Sequence, residues 1–289
     1  MEIPLSPHTM KPQVTTDPIT IALAEDIGRG DLTSRYFVAE HRQGLARIFA
    51  KEDAVVAGAQ TAVDVFRRVD PHLVVRMEKR DGDRVTKGDT VLEIRGTARS
   101  IFTAERVALN FLQRLSGVAT LTRKYVDAVA GTYARILDTR KTTPGLRALE
   151  KAAVLAGGGA NHRFGLYDMV MVKDNHLATN SNLEQLQEAI TRFRQEQPGL
   201  RVELEADTLD QVRGFLTLEG VDVILLDNMS CEDMTEAVKL GNQTVHFEAS
   251  GGVNLETIGA IAATGVDYIS VGALTHSAVS VDYSLELLE

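Results

Sequence analysis

Up to residue 96, the hydrophobic and polar positions of the chain follow a pattern of short elements. Between residues 44 and 96, apolar runs are broken by turn signals, of which Asp81-Gly82 and Lys87-Gly88 are examples. We predict strands over residues 46–50, 53–57, 73–78 and 90–94, and helices over residues 19–26 and 61–69. The first part of the chain is therefore predicted to be an α+β segment.

A long helical pattern follows over residues 103–130. Apolar residues recur there with the 3.6-residue period of one helix face, at Val107, Ala108, Phe111, Leu112, Leu115, Val118 and Leu121. Gly117 interrupts the pattern. Because glycine weakens a helix interior, we expect two helices or a kink at this residue.

From Ala134 onward, strand-like runs alternate with helical patterns. The predicted strands cover residues 136–137, 169–172, 202–204, 221–226, 245–247 and 268–271. The predicted helices cover residues 144–155, 182–195, 209–216, 231–240 and 255–264. Such alternation predicts βα units and a parallel sheet. About six units fit a closed or nearly closed barrel, or an open doubly wound sheet, and the pattern leaves both open.

Polar or glycine-rich residues follow nearly every one of these strands. In chain order the strand ends carry Asp138-Thr139-Arg140-Lys141; Lys173-Asp174-Asn175-His176; Glu203, Glu205 and Asp207; Asp227-Asn228; Glu248-Ala249-Ser250-Gly251-Gly252; and Gly272. The carboxyl ends of the strands of a β/α barrel open on one face, where catalytic groups gather. One polar strand end needs no functional explanation, but a nearly complete set indicates a site.

The distribution of charge indicates what this site binds. The whole chain has a net charge of −9, whereas residues 135–176 contain seven Lys or Arg and four Asp or Glu residues, together with His162 and His176. Arginine and lysine bind carboxylates and phosphates through charge-assisted hydrogen bonds, and a basic cleft in an acidic protein concentrates anions. We predict a pocket for an anionic substrate, the alternative being a solvated basic face.

Two carboxylates and two glycine-containing segments complete the predicted rim. Glu205 and Asp227 suggest a bound Mg²⁺ or the hydroxyl groups of a sugar, with salt bridges to the basic residues as the alternative. Ser250-Gly251-Gly252 and Val271-Gly272-Ala273 end successive late strands, where backbone N–H groups can approach a phosphate. Plain turns are the alternative for these two segments.

Composition excludes several classes of protein. Hydrophobic residues make up 44% and charged residues 25%, as is usual for a soluble globular protein. The negative net charge argues against a general nucleic-acid binder, and the single cysteine, Cys231, excludes a disulfide framework. No long apolar run predicts a membrane span, and residues 1–18 lack the features of a signal peptide. We expect a cytoplasmic protein without nucleic-acid or membrane partners.

Three ordered motifs resemble quinolinate phosphoribosyltransferase, also called carboxylating nicotinate-nucleotide pyrophosphorylase, of the type II phosphoribosyltransferase family. They are Thr139-Arg140-Lys141-Thr142-Thr143-Pro144-Gly145-Leu146-Arg147, Gly157-Gly158-Gly159-Ala160-Asn161-His162-Arg163 and Lys173-Asp174-Asn175-His176. Further matches are Ala24-Glu25-Asp26, Gly30-Asp31, Glu105-Arg106-Val107-Ala108-Leu109-Asn110, Glu203-Leu204-Glu205, Leu225-Leu226-Asp227-Asn228, Ser250-Gly251-Gly252 and Gly265-Val266-Asp267. The resemblance extends over nearly the whole chain after residue 19.

The resemblance implies an enzyme of de novo NAD biosynthesis that joins quinolinate to 5-phosphoribosyl 1-diphosphate and releases diphosphate and CO₂. It implies an N-terminal α+β sandwich domain over residues 1–117 and a C-terminal β/α barrel with about six parallel strands over residues 118–278. The tail, residues 279–289, is expected to pack back on the first domain. The resemblance also implies a homodimer with shared active sites, in which Arg106 reaches into the partner's site.

The same resemblance assigns roles to individual residues. The quinolinate pocket is expected to comprise Arg140, Lys141, His162, Arg163 and Lys173, with Thr139 also binding substrate. The catalytic residues are expected to be Lys141, Lys173, Glu205 and Asp227, of which the two carboxylates hold the ribose and its Mg²⁺. The 5-phosphate is expected at Ser250, Gly251, Gly252, Val271, Gly272 and Ala273, with His276 nearby. Which lysine or histidine protonates C2 of the ring after CO₂ leaves stays open.

Three other interpretations compete with this one. Lys173 at a strand end is the type of residue that a Schiff-base aldolase needs, although the surrounding arginines argue against it. A paralogue associated with molybdenum transport would act on a different ring. A non-enzymatic binding module would leave the charged strand ends without a purpose.

Overall fold

The computed structural model describes residues 17–173, 182–241 and 243–288 of the chain. The helices are α1 (Pro18–Ile27), α2 (Leu32–Phe37), α3 (Ala59–Val69), α4 (Ala98–Ala128), α5 (Arg147–Ala156), α6 (Leu183–Glu196), α7 (Leu209–Phe215), α8 (Cys231–Gly241), α9 (Ile258–Ala263) and α10 (Ala273–His276). The strands are β1 (Gln43–Ala50), β2 (Ala54–Val55), β3 (Val74–Met77), β4 (Arg84–Val85), β5 (Thr90–Thr97), β6 (Arg135–Leu137), β7 (Val170–Val172), β8 (Val202–Ala206), β9 (Val223–Asp227), β10 (His246–Ser250), β11 (Tyr268–Ser270) and β12 (Tyr283–Leu287). The predicted alternation of strands and helices after Ala134 is confirmed. Asp174, Asn175 and His176 lie outside the described residues.

An antiparallel sheet with the strand order β12-β1-β5-β3 forms the N-terminal part of the molecule. Every second residue of β1 points into an apolar core, and Ala46, Ile48 and Ala50 are fully buried there. Phe66 of α3 and Leu112 of α4 belong to the same core. The predicted α+β segment is confirmed, with β2 and β4 paired as a separate short ladder.

The C-terminal strand β12 belongs to this sheet. It pairs antiparallel with β1, so that Leu285 lies opposite Ile48. The phenol of the buried Tyr283 donates to Ser116 Oγ at 3.2 Å, and Gln113 Nε2 donates to the Tyr283 carbonyl at 3.1 Å. The end of the chain is therefore fixed to the N-terminal sheet and to α4. The predicted division into residues 1–117 and 118–278 stays a prediction.

Helix α4 is one helix of 31 residues that runs past Gly117, so the expectation of two separate helices is wrong. A Cβ atom at this position would lie 2.2 Å from the carbonyl oxygen of Val279. The glycine therefore allows the returning chain to pack closely against the helix. Residues before it, such as Leu112, join the N-terminal core, and residues after it, such as Val118, join the barrel core.

The six remaining strands form a parallel sheet in the order β6-β11-β10-β9-β8-β7. Each of the strands β7 to β10 pairs with its successor in the chain, and β6, the first strand, pairs with β11, the last. A ring of strands has this order, whereas a doubly wound sheet reverses direction at a switch point. The structure therefore decides for the barrel. None of the helices in the described part of the chain combines the length and apolar character needed to cross a membrane.

Candidate active site

A cavity of about 510 Å³ opens at the carboxyl ends of the barrel strands. The predicted site residues that line it are Thr139, Arg140, Lys141, His162, Arg163, Lys173, Glu205, Asp227, Ser250, Gly251 and Gly252. These residues come from five strand ends and from the segment after α5. The barrel topology therefore brings most of the predicted site together around one cavity, which we call the rim cavity.

The other predicted residues lie outside the wall of the rim cavity: Arg106, Val271, Gly272, Ala273 and His276. A Cβ atom at Gly272 would lie 3.0 Å from Lys141 Cδ and 3.1 Å from His276 Nε2. The segment from Val271 to His276 is therefore next to Lys141. Arg106 is exposed on α4 and takes no part in the cavity wall of its own chain.

Lys173 and Glu205 form an ion pair between the neighbouring ends of β7 and β8, in the wall of the rim cavity. The lysine side chain is 47% exposed and that of the glutamate 10%. The structure thus joins a residue expected to bind quinolinate to one expected to hold the ribose. A salt bridge was the alternative that we considered for Glu205, and this contact exists.

Asp227 and the glycine segment after β10 meet at the neighbouring strand ends of the rim cavity. Asn228 has a positive φ of 53°, and its side-chain amide donates to Asp227 Oδ2 at 2.7 Å. Gly251 also has a positive φ, and a Cβ atom there would lie 2.1 Å from Asn228 Oδ1. Only glycine fits at Gly251, because both the backbone conformation and the space exclude a side chain.

Below the rim cavity, toward the amino ends of the strands, lies a buried cluster of His162, Glu203 and Glu248. His162 Nε2 is 3.3 Å from Glu203 Oε2 and 3.4 Å from Glu248 Oε1. Both oxygens of Glu203 and Oε1 of Glu248 are buried without a fully formed hydrogen bond to another described residue. The three ligand-type atoms lie within 4.8 Å of one another, a spacing that a metal ion could bridge.

The electrostatics of this cluster are dominated by burial and by the two carboxylates that face His162. Burial lowers the pKa of His162, but hydrogen bonding and attraction to Glu203 and Glu248 outweigh burial and raise it. The main-chain N–H of Arg163 donates to His162 Nδ1 at 2.7 Å, so that the other ring nitrogen, Nε2, faces the carboxylates. Burial also raises the pKa of the Glu203 carboxyl. The cluster is therefore an imidazole held between two buried carboxylates.

A second buried group, the ion pair of Asp138 and Lys151, supports His162 from its other side. The two side chains are 0% and 3% exposed. The main-chain N–H of His162 donates to Asp138 Oδ1 at 2.8 Å, and Lys151 Nζ donates to the His162 carbonyl at 2.9 Å. Asp138 was noted as a strand-end residue, but sequence reasoning gave neither partner a role.

Five further residues line the rim cavity, namely Met171, Leu225, Asn228, Glu248 and Ser270. Sequence reasoning noted Asn228 and Glu248 at strand ends but gave none of the five a binding role. The alternation of a strand could have indicated one for Glu248. Ser250 on β10 was predicted for the site, and Glu248, two positions earlier, points to the same side of the strand. The register places Glu248 beside Leu225, which in turn lies beside Glu205.

Two family models match almost the whole chain. The N-terminal domain of quinolinate phosphoribosyl transferase matches residues 31–116, and its C-terminal domain matches residues 118–286. The chain is 44% identical over 264 residues to the probable nicotinate-nucleotide pyrophosphorylase (carboxylating) of Bacillus subtilis (strain 168), with 91% of this chain and 90% of the relative covered. These matches concern both parts of the molecule.

A plant relative and a solved structure agree with these matches. Quinolinate phosphoribosyltransferase (decarboxylating) 2, mitochondrial, of Nicotiana glauca is 44% identical over 283 residues, with 92% of this chain and 80% of the relative covered. The crystal structure of NadC from Streptococcus pyogenes superimposes with a TM-score of 0.88 at 42% identity, covering 94% of this chain and 96% of the other. The resemblance drawn from the sequence motifs is confirmed, and the chain belongs to the quinolinate phosphoribosyltransferase family.

Proposed function

We propose that the protein transfers the phosphoribosyl group of 5-phosphoribosyl 1-diphosphate to quinolinate with decarboxylation, giving nicotinate mononucleotide, diphosphate and CO₂ in de novo NAD biosynthesis. The observation that carries the proposal is the meeting of basic side chains and two carboxylates in the rim cavity of a member of this family. Quinolinate has two carboxylates, and the second substrate has phosphates and ribose hydroxyl groups. The rim cavity offers partners for each of these groups.

The electrostatics of two arginines support a dicarboxylate as the ligand. Arg140 and Arg163 both line the rim cavity. Burial and repulsion from Arg140 lower the pKa of the Arg163 guanidinium. A bound carboxylate would relieve this repulsion and form charge-assisted hydrogen bonds with both groups. The two arginines are therefore proposed to bind the quinolinate carboxylates.

In the proposed reaction the protein mainly orients the two substrates, and no covalent bond between protein and substrate is needed. The pyridine nitrogen of quinolinate attacks C1 of the ribose as the bond from C1 to the diphosphate oxygen breaks. The pyridinium ring then accepts the electron pair of the breaking carbon–carboxylate bond, CO₂ leaves, and C2 takes up one proton. Lys141 and Lys173 are proposed to orient the two substrates, and the glycine segment from Ser250 to Gly252 to bind the 5-phosphate.

Glu205 and Asp227 are proposed to hold Mg²⁺. Carboxylate oxygens are the ligands that this ion prefers, and both side chains line the rim cavity. Oδ2 of Asp227 accepts from Asn228, and Oδ1 has no hydrogen-bond partner among the described residues, so the donor set fits the ion. The bound ion would offset the negative charge that develops on the leaving diphosphate. Glu205 would exchange its contact with Lys173 for the ribose and the ion.

We further propose a homodimer in which Arg106 completes the site of the other subunit. Arg106 is exposed on α4 and lies outside the rim cavity of its own chain, so its guanidinium is free to meet a second molecule. In a two-fold dimer the contribution would be reciprocal, and each site would contain one Arg106 from the other chain.

Purified protein is expected to release diphosphate and CO₂ when it is given quinolinate, 5-phosphoribosyl 1-diphosphate and Mg²⁺. With nicotinate in place of quinolinate, turnover should be much lower, because the second carboxylate that the arginines bind is missing. The measurement is a coupled diphosphate assay together with the release of labelled CO₂ from the 2-carboxylate. Equal turnover of the two acids, or none with quinolinate, would overturn the assignment.

Activity is also expected to depend on a divalent cation. Excess EDTA should abolish quinolinate turnover, and added Mg²⁺ should restore it, with Mn²⁺ as a substitute. The test compares initial rates with chelator alone and with each ion added back. Full activity in the presence of chelator would contradict the role proposed for Glu205 and Asp227.

A further inference from the structure

The strand ladder of the barrel is incomplete between β6 and β7. These two strands are the edges of the parallel sheet, and no ladder joins them in the described part of the chain. The segment that starts at Ala160 enters beside β6. Ala160 pairs with Leu137, its N–H donates to the Ile136 carbonyl at 2.8 Å, and its carbonyl accepts from the Asp138 N–H at 3.1 Å.

Two cavity residues follow directly after this bridge. His162 places its imidazole between Glu203 and Glu248, and Arg163 lines the rim cavity beside Arg140. Beyond Ala160, the segment no longer has a sheet ladder to hold its main chain. The buried pair of Asp138 and Lys151 supplies hydrogen bonds to the main chain here, because each partner binds one of the two main-chain polar groups of His162.

The main chain of His162 is supported by a buried ion pair and not by apolar packing. A buried ion pair is often no more stabilising than apolar side chains of similar size, since both charges lose their water. Hydrogen bonds to a carboxylate and an ammonium are directional, however, and fix the position of the groups that they bind. One ion pair thus binds the peptide groups on both sides of the His162 Cα, the N–H through Asp138 and the carbonyl through Lys151.

We propose that Asp138 and Lys151 are positioning residues for quinolinate binding, acting through the main chain of His162. The inference rests on the proposed function. The pair lies outside the wall of the rim cavity and is not expected to touch substrate. Its effect is to place the His162 imidazole and the Arg163 guanidinium where quinolinate binds. The glycine segment that is proposed to bind 5-phosphate is held by other contacts.

The test is the double variant Asp138→Asn/Lys151→Met, which removes both charges while keeping similar side-chain sizes. The KM for quinolinate is expected to rise about 10- to 100-fold, because even a small displacement of the binding groups weakens binding by this order. The KM for 5-phosphoribosyl 1-diphosphate should change by less than about twofold. The His162 imidazole signal, followed by NMR of histidine-labelled protein and assigned with His162→Gln, should shift in the variant. Thermal unfolding checks that the variant is folded.

A matched control exists at the other end of the barrel. Arg194 and Asp222 form a more exposed ion pair that also binds main-chain groups: Asp222 accepts from the Val202 N–H at 2.7 Å, and Arg194 donates to the Leu200 carbonyl at 2.8 Å. The variant Arg194→Met/Asp222→Asn should lower the melting temperature without changing the ratio of the two KM values.

Three outcomes would decide the question. A rise in the quinolinate KM alone, with a shifted His162 signal, supports the positioning role. An unchanged quinolinate KM, or equal changes for both substrates as in a general loss of stability, overturns it. If the wild-type protein does not turn over quinolinate, the proposed function fails, and the His162 signal still tests whether the pair positions the imidazole.

Discussion

Lys173→Ala is expected to lower kcat/KM for quinolinate by about 10- to 150-fold, because one charge-assisted hydrogen bond to a carboxylate is worth about 1.5–3 kcal/mol. The lysine lies at the end of β7 and lines the rim cavity. Its side chain is 47% exposed, so removing it costs little packing, and the fold should survive. Steady-state kinetics with both substrates, together with thermal unfolding, measure the effect.

The contact of Lys173 with Glu205 requires a second variant. Removing the lysine also leaves the mostly buried Glu205 carboxylate without this partner. Lys173→Ala/Glu205→Gln removes both charges, and its quinolinate binding, measured as a Kd without turnover, should stay as weak as that of Lys173→Ala if the lysine binds substrate. Recovery of quinolinate binding in the double variant would mean that Lys173 serves only to neutralise Glu205. Lys239→Ala, in the last turn of α8, is the control and should be unaffected.

Mixing two strongly impaired variants is expected to restore about a quarter of wild-type activity in addition to their residual rates, because half of randomly paired dimers would carry one intact site of two. The variants are Arg106→Ala and Lys173→Ala, unfolded and refolded together. In a mixed dimer, one site has the Lys173 of one chain and the Arg106 of the other, and the second site lacks both. The measurement is quinolinate turnover per total protein after refolding.

The control for this experiment is a mixture of Lys141→Ala and Lys173→Ala. Both lysines line the rim cavity of the same chain, so no mixed dimer contains an intact site. This mixture should stay inactive, whereas the one with Arg106→Ala recovers. If the two mixtures behave alike although mixed dimers form, Arg106 acts within its own chain or has no role.

The sequence predicted the elements well wherever local pattern decides them. Every strand and helix expected after Ala134 is present, because alternating apolar runs and helical spacing reflect burial on a sheet and a helix face. The exception is Gly117, where propensity predicts a break. There the close approach of Val279 outweighs the cost of a glycine in a helix.

For the candidate site, the sequence predicted which residues belong to it, but it did not predict most of the contacts between them. Most of the expected residues line one cavity, because the strand ends of a barrel meet on a single face. A salt bridge of Glu205 to a basic residue was only the alternative interpretation, and neither the place of Glu248 in the buried cluster nor the support of His162 by Asp138 and Lys151 was predicted. Each of these contacts joins residues from different segments of the chain, which meet only in the folded barrel.

The sequence by itself determined the order of elements, the basic character of the site and the family, because spacing, charge and motifs are properties of the chain. The choice between barrel and open sheet was decided only by the tertiary structure, through the pairing of β6 with β11. No local signal reports this contact, since Ile136 and Ile269 are 133 positions apart in the chain and meet only when the ring of strands closes. For the same reason, only the tertiary structure shows which charged groups form ion pairs with one another.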